Sequence, residues 1–252
     1  MSPSPRRPTL ADRLQQQWLT GGPLSAALLP LSWLYRALLA LRSLAYRAGL
    51  KRPASLPVPV IVVGNWIVGG AGKTLTTLAL LELLRARGLR AGVVSRGYGR
   101  EGDGVHLVGR ASTARQAGDE PLLIHLRGRV PVAVGRDRVA VAQALLAAHP
   151  DLDLLVSDDG LQHWRLPRAL SVLVFDERGL GNGRLLPAGP LRQPPAALAA
   201  NQLVVYNAPR PSTALPGCVA ERRLAGAVPL ADWWAGRPAS LDTLLALRGR
   251  LG

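Results

Sequence analysis

An α/β fold with a mostly parallel sheet flanked by helices is predicted by three observations. Short apolar runs alternate with helical stretches from Pro57 to Tyr206, the order that builds parallel sheets through right-handed crossovers. The runs are continuously apolar, as in strands covered on both faces. A glycine-rich loop separates the first run from a leucine-rich helix.

The elements follow in order. Val58 to Val63 is the first strand, and Thr74 to Arg87 is a helix whose leucines give a broad apolar face and which Gly88 ends. Ala91 to Ser95 is a strand, Glu120 to Arg127 a short helix and Val130 to Val134 a strand. An alanine-rich helix over Arg136 to His149 leads to a strand at Leu152 to Ser157, and Ser171 to Phe175 and Leu203 to Tyr206 complete the series. Past Asn207 the chain is richer in Pro and turns, and only weak strands are visible. Three segments result: 1–52 helical, 53–210 the main α/β domain, and 211–252 the start of a second lobe.

At 252 residues with 48% hydrophobic content, the chain can bury a sizeable core, which excludes global disorder. Aromatics make up only 4%, so that core is mostly Leu, Val and Ala. The net charge of +15 attracts polyanions: nucleic acid, phosphorylated substrates or an anionic membrane. Arg supplies nearly all of it, Lys occurring only at Lys51 and Lys73, and a solvated basic surface is the competing reading. The single Cys218 excludes an internal disulfide and a multi-cysteine zinc site and fits a reducing compartment. The four histidines lack metal-ligand spacing.

Residues 14–35 carry no charge, and Arg36, Arg42, Arg47, Lys51 and Arg52 follow. The length permits a membrane span, but Gln15 to Gln17, Gly21-Gly22-Pro23 and Pro30 interrupt it. A helix from about Leu31 to Gly49 combines apolar bulk, Trp33, Tyr35, Tyr46 and arginines, which suits the headgroup region of a membrane. The alternative is a helix packed on the domain core. A cleavable signal is disfavoured, because no small-residue cleavage site follows the apolar stretch.

Strand, Gly69-Gly70-Ala71-Gly72-Lys73-Thr74, then helix is the context of a phosphate-binding loop, which makes the fold P-loop NTPase-like. Backbone N–H groups from Ile67 and Val68 through Thr74 offer an anion cradle, and the helix N-terminus adds its dipole. Lys73 serves the outer phosphates and Thr74 offers a hydroxyl to Mg²⁺ beside ATP. The strict pattern wants a glycine at Ile67, so the match is imperfect. Asp158-Asp159-Gly160 ends a buried strand, where carboxylates for Mg²⁺ belong; a turn or helix cap is the other use of such a tripeptide. Asp119, in Gly118-Asp119-Glu120-Pro121, reads from position alone as a helix cap.

With these segments in order, the chain resembles the tetraacyldisaccharide 4′-kinases, the lipid A 4′-kinases of Gram-negative bacteria. The most specific stretches are Ser157-Asp158-Asp159-Gly160-Leu161-Gln162-His163 and Gly181-Asn182-Gly183-Arg184-Leu185-Leu186-Pro187-Ala188-Gly189-Pro190-Leu191-Arg192. Ser95-Arg96-Gly97-Tyr98-Gly99-Arg100 and Val134-Gly135-Arg136-Asp137-Arg138 add to them. The resemblance implies ATP-dependent phosphorylation of the 4′-hydroxyl of an acylated glucosamine disaccharide 1-phosphate. It implies a monotopic enzyme on the anionic cytoplasmic face of the bacterial inner membrane, with no nucleic-acid partner. It makes Asp119 the catalytic base, gives Asp158 and Thr74 to Mg²⁺, and has Asp159 support the site beside Lys73. It puts Ser95, Arg96, Tyr98, Gln162, His163 and Arg192 near substrate or nucleotide. Leu75, Ile67 and Gln193 depart from the family's usual Pro, Thr and Glu. The family continues into a carboxyl-terminal lobe whose histidine pairs with the base; no histidine follows His163 here, so a truncated second lobe and weak activity are expected. The rival readings are a deviant P-loop ATPase acting as a regulatory or partitioning switch, and an inactive remnant that only binds nucleotide or membrane.

Overall fold

The structure is a computed structural model that describes residues 10–221, 223–224 and 226–246, with backbone alone for 10–13. Three helices open it: α1 (Leu10–Thr20), α2 (Pro23–Ala27) and α3 (Leu29–Arg47). There follow β1 (Val60–Gly64), α4 (Lys73–Ala86), β2 (Ala91–Ser95), β3 (His106–Val108), α5 (Ala114–Ala117), α6 (Asp119–Gly128), β4 (Val132–Val134), α7 (Arg138–Ala148) and β5 (Leu154–Asp158). Then come β6 (Leu170–Phe175), β7 (Gln202–Tyr206), β8 (Cys218–Val219), α8 (Leu230–Trp234) and α9 (Leu241–Ala246). The sheet order is β3-β4-β2-β5-β1-β6-β7-β8.

The chain forms two compact units that alternate along the sequence. One comprises 1–55, 62–73 and 159–219, the other 56–61, 74–158 and 220–252.

In the first unit β6 and β7 pair in parallel from Ser171↔Gln202 to Phe175↔Tyr206, and β8 extends them at Val205↔Cys218. Every residue of β6 after Leu170 is buried. Phe175 packs edge-on to Trp66 at 5.6 Å, and both are fully buried.

In the second unit β2 pairs in parallel with β4 and β5, and all residues of β2 and β5 are buried. β3 runs antiparallel to β4 and escapes sequence reading, since three residues after Gly102-Asp103-Gly104 give no usable period. β4 starts two residues later than expected, because Pro131 has no N–H for the ladder. α7 starts late for a different reason. Asp137 accepts from the N–H of Val139 at 2.9 Å and of Ala140 at 3.4 Å, an N-cap that contributes about 1 kcal/mol.

One backbone crossing positions a predicted site residue. Gly118 has φ +87°, and a β-carbon there would sit 2.9 Å from the Tyr98 carbonyl oxygen. Only glycine accepts that conformation and that approach cheaply. The crossing brings the start of α6, and therefore Asp119, against the turn that follows β2.

Candidate active site

The glycine loop is shaped from outside. Before it, Val68 N–H donates to the Pro190 carbonyl at 2.8 Å, Arg192 N–H donates to the Trp66 carbonyl at 2.7 Å, and Ile67 bridges Leu191. Ile67 is thereby 1% exposed: its side chain belongs to the core, and the open loop begins at Gly69. Gly69 (φ +98°) and Gly72 (φ +80°) are left-handed. The Arg178 guanidinium lies where a side chain on Gly69 would begin, 2.9 Å from the ideal β-carbon.

Arg178 donates to the carbonyls of Val68 at 3.4 Å and Gly70 at 3.2 Å. Asp176 fixes the guanidinium by accepting from Nε at 2.9 Å and Nη2 at 2.7 Å. Asn207 Nδ2 donates to the carbonyls of Ala71 at 2.8 Å and Gly72 at 3.2 Å. Donors bound to the loop's carbonyls hold it in shape without using its N–H groups, the groups an anion needs. Asp176, Arg178 and Asn207 were not read from the sequence. Asp176 and Asn207 each follow the carboxyl end of a parallel strand, which is a usable signal; Arg178 has none.

Lys73 opens α4 with its side chain 10% exposed. Its Nζ donates to Asn65 Oδ1 at 3.3 Å and lies 3.6 Å from Asp159 Oδ1. Asn65, fully buried, donates to the Gly69 carbonyl at 3.2 Å. Asp159 sits in the left-handed region (φ +50°) and accepts from Arg192 Nη1 at 3.0 and 3.2 Å. Gln162 joins them, accepting from Arg192 at 3.3 Å and donating to the Asn65 carbonyl at 3.3 Å. Two cations on one carboxylate leave a net positive site with restricted solvent, suited to phosphate. His163 enters the adjoining turn through its backbone, its N–H donating to the Gly160 carbonyl at 2.9 Å.

α3 grips this cluster with its polar face. Tyr35 Oη donates to the Arg192 carbonyl at 2.8 Å, and Arg42 donates to the Gln162 carbonyl at 2.9 Å. Burial raises the Tyr35 pKa against the pull of the Arg192 and Arg42 charges, so its hydroxyl stays a donor. Arg42 lies 4.9 Å over the Trp164 ring, which Tyr46 meets edge-on at 5.4 Å.

The second unit carries the other predicted residues. Asp158 ends β5 at 1% exposure, accepting from Thr77 Oγ1 on Oδ1 at 3.4 Å and from Ser95 Oγ on Oδ2 at 3.5 Å. Thr77 is one turn along α4 from the half-buried Thr74. Ser95 is buried, so its hydroxyl serves Asp158 rather than an open surface. Carboxylate and hydroxyl oxygens are hard donors, the set Mg²⁺ prefers, and Mg²⁺ takes only one or two protein carboxylates beside phosphate and water.

Asp119 is exposed at the first position of α6, where Gly118 holds the cap position and no side chain caps the helix. The capping role favoured by its position in sequence is therefore not the one the structure gives it. Among the described residues its carboxylate has no hydrogen-bond or ion-pair partner. Arg96 and Tyr98, 88% exposed, stand in the turn against which Gly118 packs. They line a cavity of about 280 Å³ with Arg100 and Arg136.

A family model described as tetraacyldisaccharide-1-P 4′-kinase matches residues 24–227. The chain is 56% identical over 250 residues to the tetraacyldisaccharide 4′-kinase of Methylibium petroleiphilum, covering 98% of this chain and 70% of that one. It is 57% identical over 234 residues to the enzyme of that name from Leptothrix cholodnii, covering 92% and 67%. A crystal structure of LpxK from Aquifex aeolicus in complex with ATP superposes with a TM-score of 0.64 at 35% identity, covering 73% of this chain and 59% of that one. The chain thus spans about three fifths to seven tenths of these relatives.

If Arg178 shapes the loop, Arg178→Met weakens ATP binding by about tenfold, the loss expected for charge-assisted hydrogen bonds. Isothermal titration checks it, and an unchanged dissociation constant would remove Arg178 from the loop's support.

Proposed function

The chain belongs to the tetraacyldisaccharide-1-P 4′-kinase family, and we propose that it transfers the γ-phosphoryl group of ATP to the 4′-hydroxyl of an acylated glucosamine disaccharide 1-phosphate. The observation that carries this reading is the loop Gly69 to Lys73, tied by its carbonyls and adjoined by Lys73 and Arg192 around Asp159.

Transfer is a matter of positioning and charge. The loop's N–H groups and Lys73 receive the phosphates, and Arg192 adds charge held in place by Asp159. Thr74 and Asp158 would hold Mg²⁺, with Ser95 and Thr77 orienting the carboxylate; when bound, the ion supplies positive charge to the β- and γ-phosphate oxygens. The acceptor oxygen attacks the γ-phosphorus as the bond to the β–γ bridging oxygen breaks, and ADP leaves. The hydroxyl proton passes to Asp119, whose carboxylate is exposed and unengaged among the described residues. Arg96 and Tyr98 stand beside it as contacts for the acceptor sugar.

The acceptor's acyl chains call for an enzyme at a membrane surface, here the cytoplasmic face of the inner membrane. α3 supports that placement because its polarity is inverted. Ser32, Tyr35 and Arg42 bond to the protein, whereas Leu31, Trp33, Leu34, Leu38, Leu41 and Leu44 are each more than half exposed. A run of large apolar side chains exposed along one helix marks a surface that a membrane or partner covers. Arg36, Arg47, Lys51 and Arg52 are exposed on or just after the helix, placed for anionic headgroups. No helix among the described residues is long and apolar enough to cross a membrane.

Incubation with γ-labelled ATP and the disaccharide 1-phosphate lipid tests the activity directly: label appears as a 4′-phosphomonoester. Asp119→Asn lowers turnover by about 10²–10⁴-fold while retaining ATP affinity. An unchanged rate would deny Asp119 the role of base. Replacing Leu34, Leu38 and Leu41 together by Glu leaves the fold intact, because these side chains bury little, and lowers partition onto anionic vesicles by at least about tenfold. Undiminished sedimentation with vesicles would remove α3 as the anchor.

A further inference from the structure

Arg168 lies outside the phosphate cluster, just before β6 and in the same unit. Its guanidinium forks over the turn that follows Asp159. Nη1 donates to the Leu161 carbonyl at 3.1 Å and Nη2 to the His163 carbonyl at 3.2 Å. Between them, the Gln162 carbonyl accepts from Arg42 of α3 at 2.9 Å. Three successive carbonyls are thus held by two guanidinium groups. Among the described residues the Leu161 and Gln162 carbonyls receive no backbone N–H, so the arginines are their protein donors.

This arrangement is costly. Arg168 is half-buried, and among the described residues neither it nor Arg42 is in an ion pair. Burial holds the Arg168 pKa below the ordinary arginine value, the Arg42 charge adds to that, and Tyr46 opposes it. Two like charges gathered without an anion repel, and directed bonds to carbonyls offset the repulsion. A planar fork over alternate carbonyls also fixes which way each peptide faces.

The turn is held from its other side as well. Gly160 N–H donates to the Val63 carbonyl at 3.3 Å, and His163 N–H to the Gly160 carbonyl at 2.9 Å. A β-carbon on Gly64 would sit 2.6 Å from that of Leu161, so the turn rests directly on the end of β1. From this fixed backbone the Gln162 side chain reaches the phosphate cluster. It accepts from Arg192 Nη1 at 3.3 Å and donates to the carbonyl of Asn65, whose own side chain meets Lys73.

We infer that Arg168 is a positioning residue for the phosphate site: with Arg42 it fixes the turn 161–163 so that Gln162 holds Arg192 and Asn65 in place beside Lys73. The inference rests on the phosphate reading of that cluster. Arg168 touches no ligand, and its contribution passes through Gln162. Lysine cannot replace it, because an ammonium is a single point of charge and the carbonyls to be bridged have a residue between them.

ATP titrations and thermal midpoints on the full chain compare wild type, Arg168→Met, Arg168→Lys, Gln162→Ala and Gln162→Ala/Arg168→Met. Arg168→Met weakens ATP binding about tenfold, and Arg168→Lys by nearly as much. In the Gln162→Ala background, Arg168→Met changes ATP affinity by less than about twofold, yet lowers the thermal midpoint as much as it does alone. An arginine with a merely structural role would weaken ATP equally in both backgrounds. That outcome, unchanged affinity in Arg168→Met, or full recovery by lysine would overturn the inference and leave the phosphate site standing. Should Arg168→Met fail to fold, Arg42→Met, at an exposed position bonded to the Gln162 carbonyl, runs the same cycle with the same opposing outcomes. A wild-type chain that binds no ATP would overturn the phosphate reading and the role of Arg168 with it.

Discussion

The carboxylate of Asp159 receives Arg192 at 3.0 Å and Lys73 at 3.6 Å, and three separate stretches of chain meet at that point. Lys73 comes from the glycine loop, Asp159 from the turn after β5, and Arg192 from the segment that pairs with residues 66–68. Asp159 adopts a left-handed backbone to get there, at a cost of about 1–3 kcal/mol. Charge-assisted bonds of about 1.5–3 kcal/mol each offset it. The result is a pair of cations held close together by one anion, with the remaining charge available to phosphate. Without Asp159 the two would repel, and the longer side chain would turn to solvent.

The same cluster explains why α3 is oriented as it is. Tyr35 and Arg42 donate to the carbonyls of Arg192 and Gln162, both of which belong to the Asp159 network. A helix held by its polar face must present its leucines outward. Under the proposed function, membrane attachment and nucleotide chemistry would be mechanically joined, because the side chains that orient the apolar stripe also fix the backbone of Arg192 and Gln162.

Much of this was legible in the sequence because it is local. The strand, glycine loop and helix are contiguous, and Asp158-Asp159 ends an apolar run, so chain order alone brings out the loop, Lys73, Thr74 and both carboxylates. The roles of Asp119, Arg96, Tyr98 and Arg192 came from resemblance, since nothing in their own neighbourhoods reveals them. The structure adds that Gly118 holds the cap position, which frees Asp119 from the role its position suggested. Ile67, placed in the cradle by motif arithmetic, is core because it pairs with Leu191, a partner 124 positions away in the chain. Arg178 and Asn207 act on loop carbonyls, and Asp176 holds Arg178; strand ends mark Asp176 and Asn207, but a hydrogen bond to a distant carbonyl leaves no local pattern that gives their roles. Outside the described residues, the end of the segment expected to begin a second lobe, past Ala246, has no structural account.

The account stands on Asp159 organising its two cations, and a double-mutant cycle measures that directly. ATP dissociation constants are determined for wild type, Asp159→Asn, Arg192→Met and the pair. If one carboxylate holds Arg192 in place for phosphate, the two losses are coupled by about 1 kcal/mol or more, because removing Asp159 already releases the arginine. Losses that add to within about 0.5 kcal/mol would show that Arg192 and Asp159 serve the nucleotide independently, and would contradict the account.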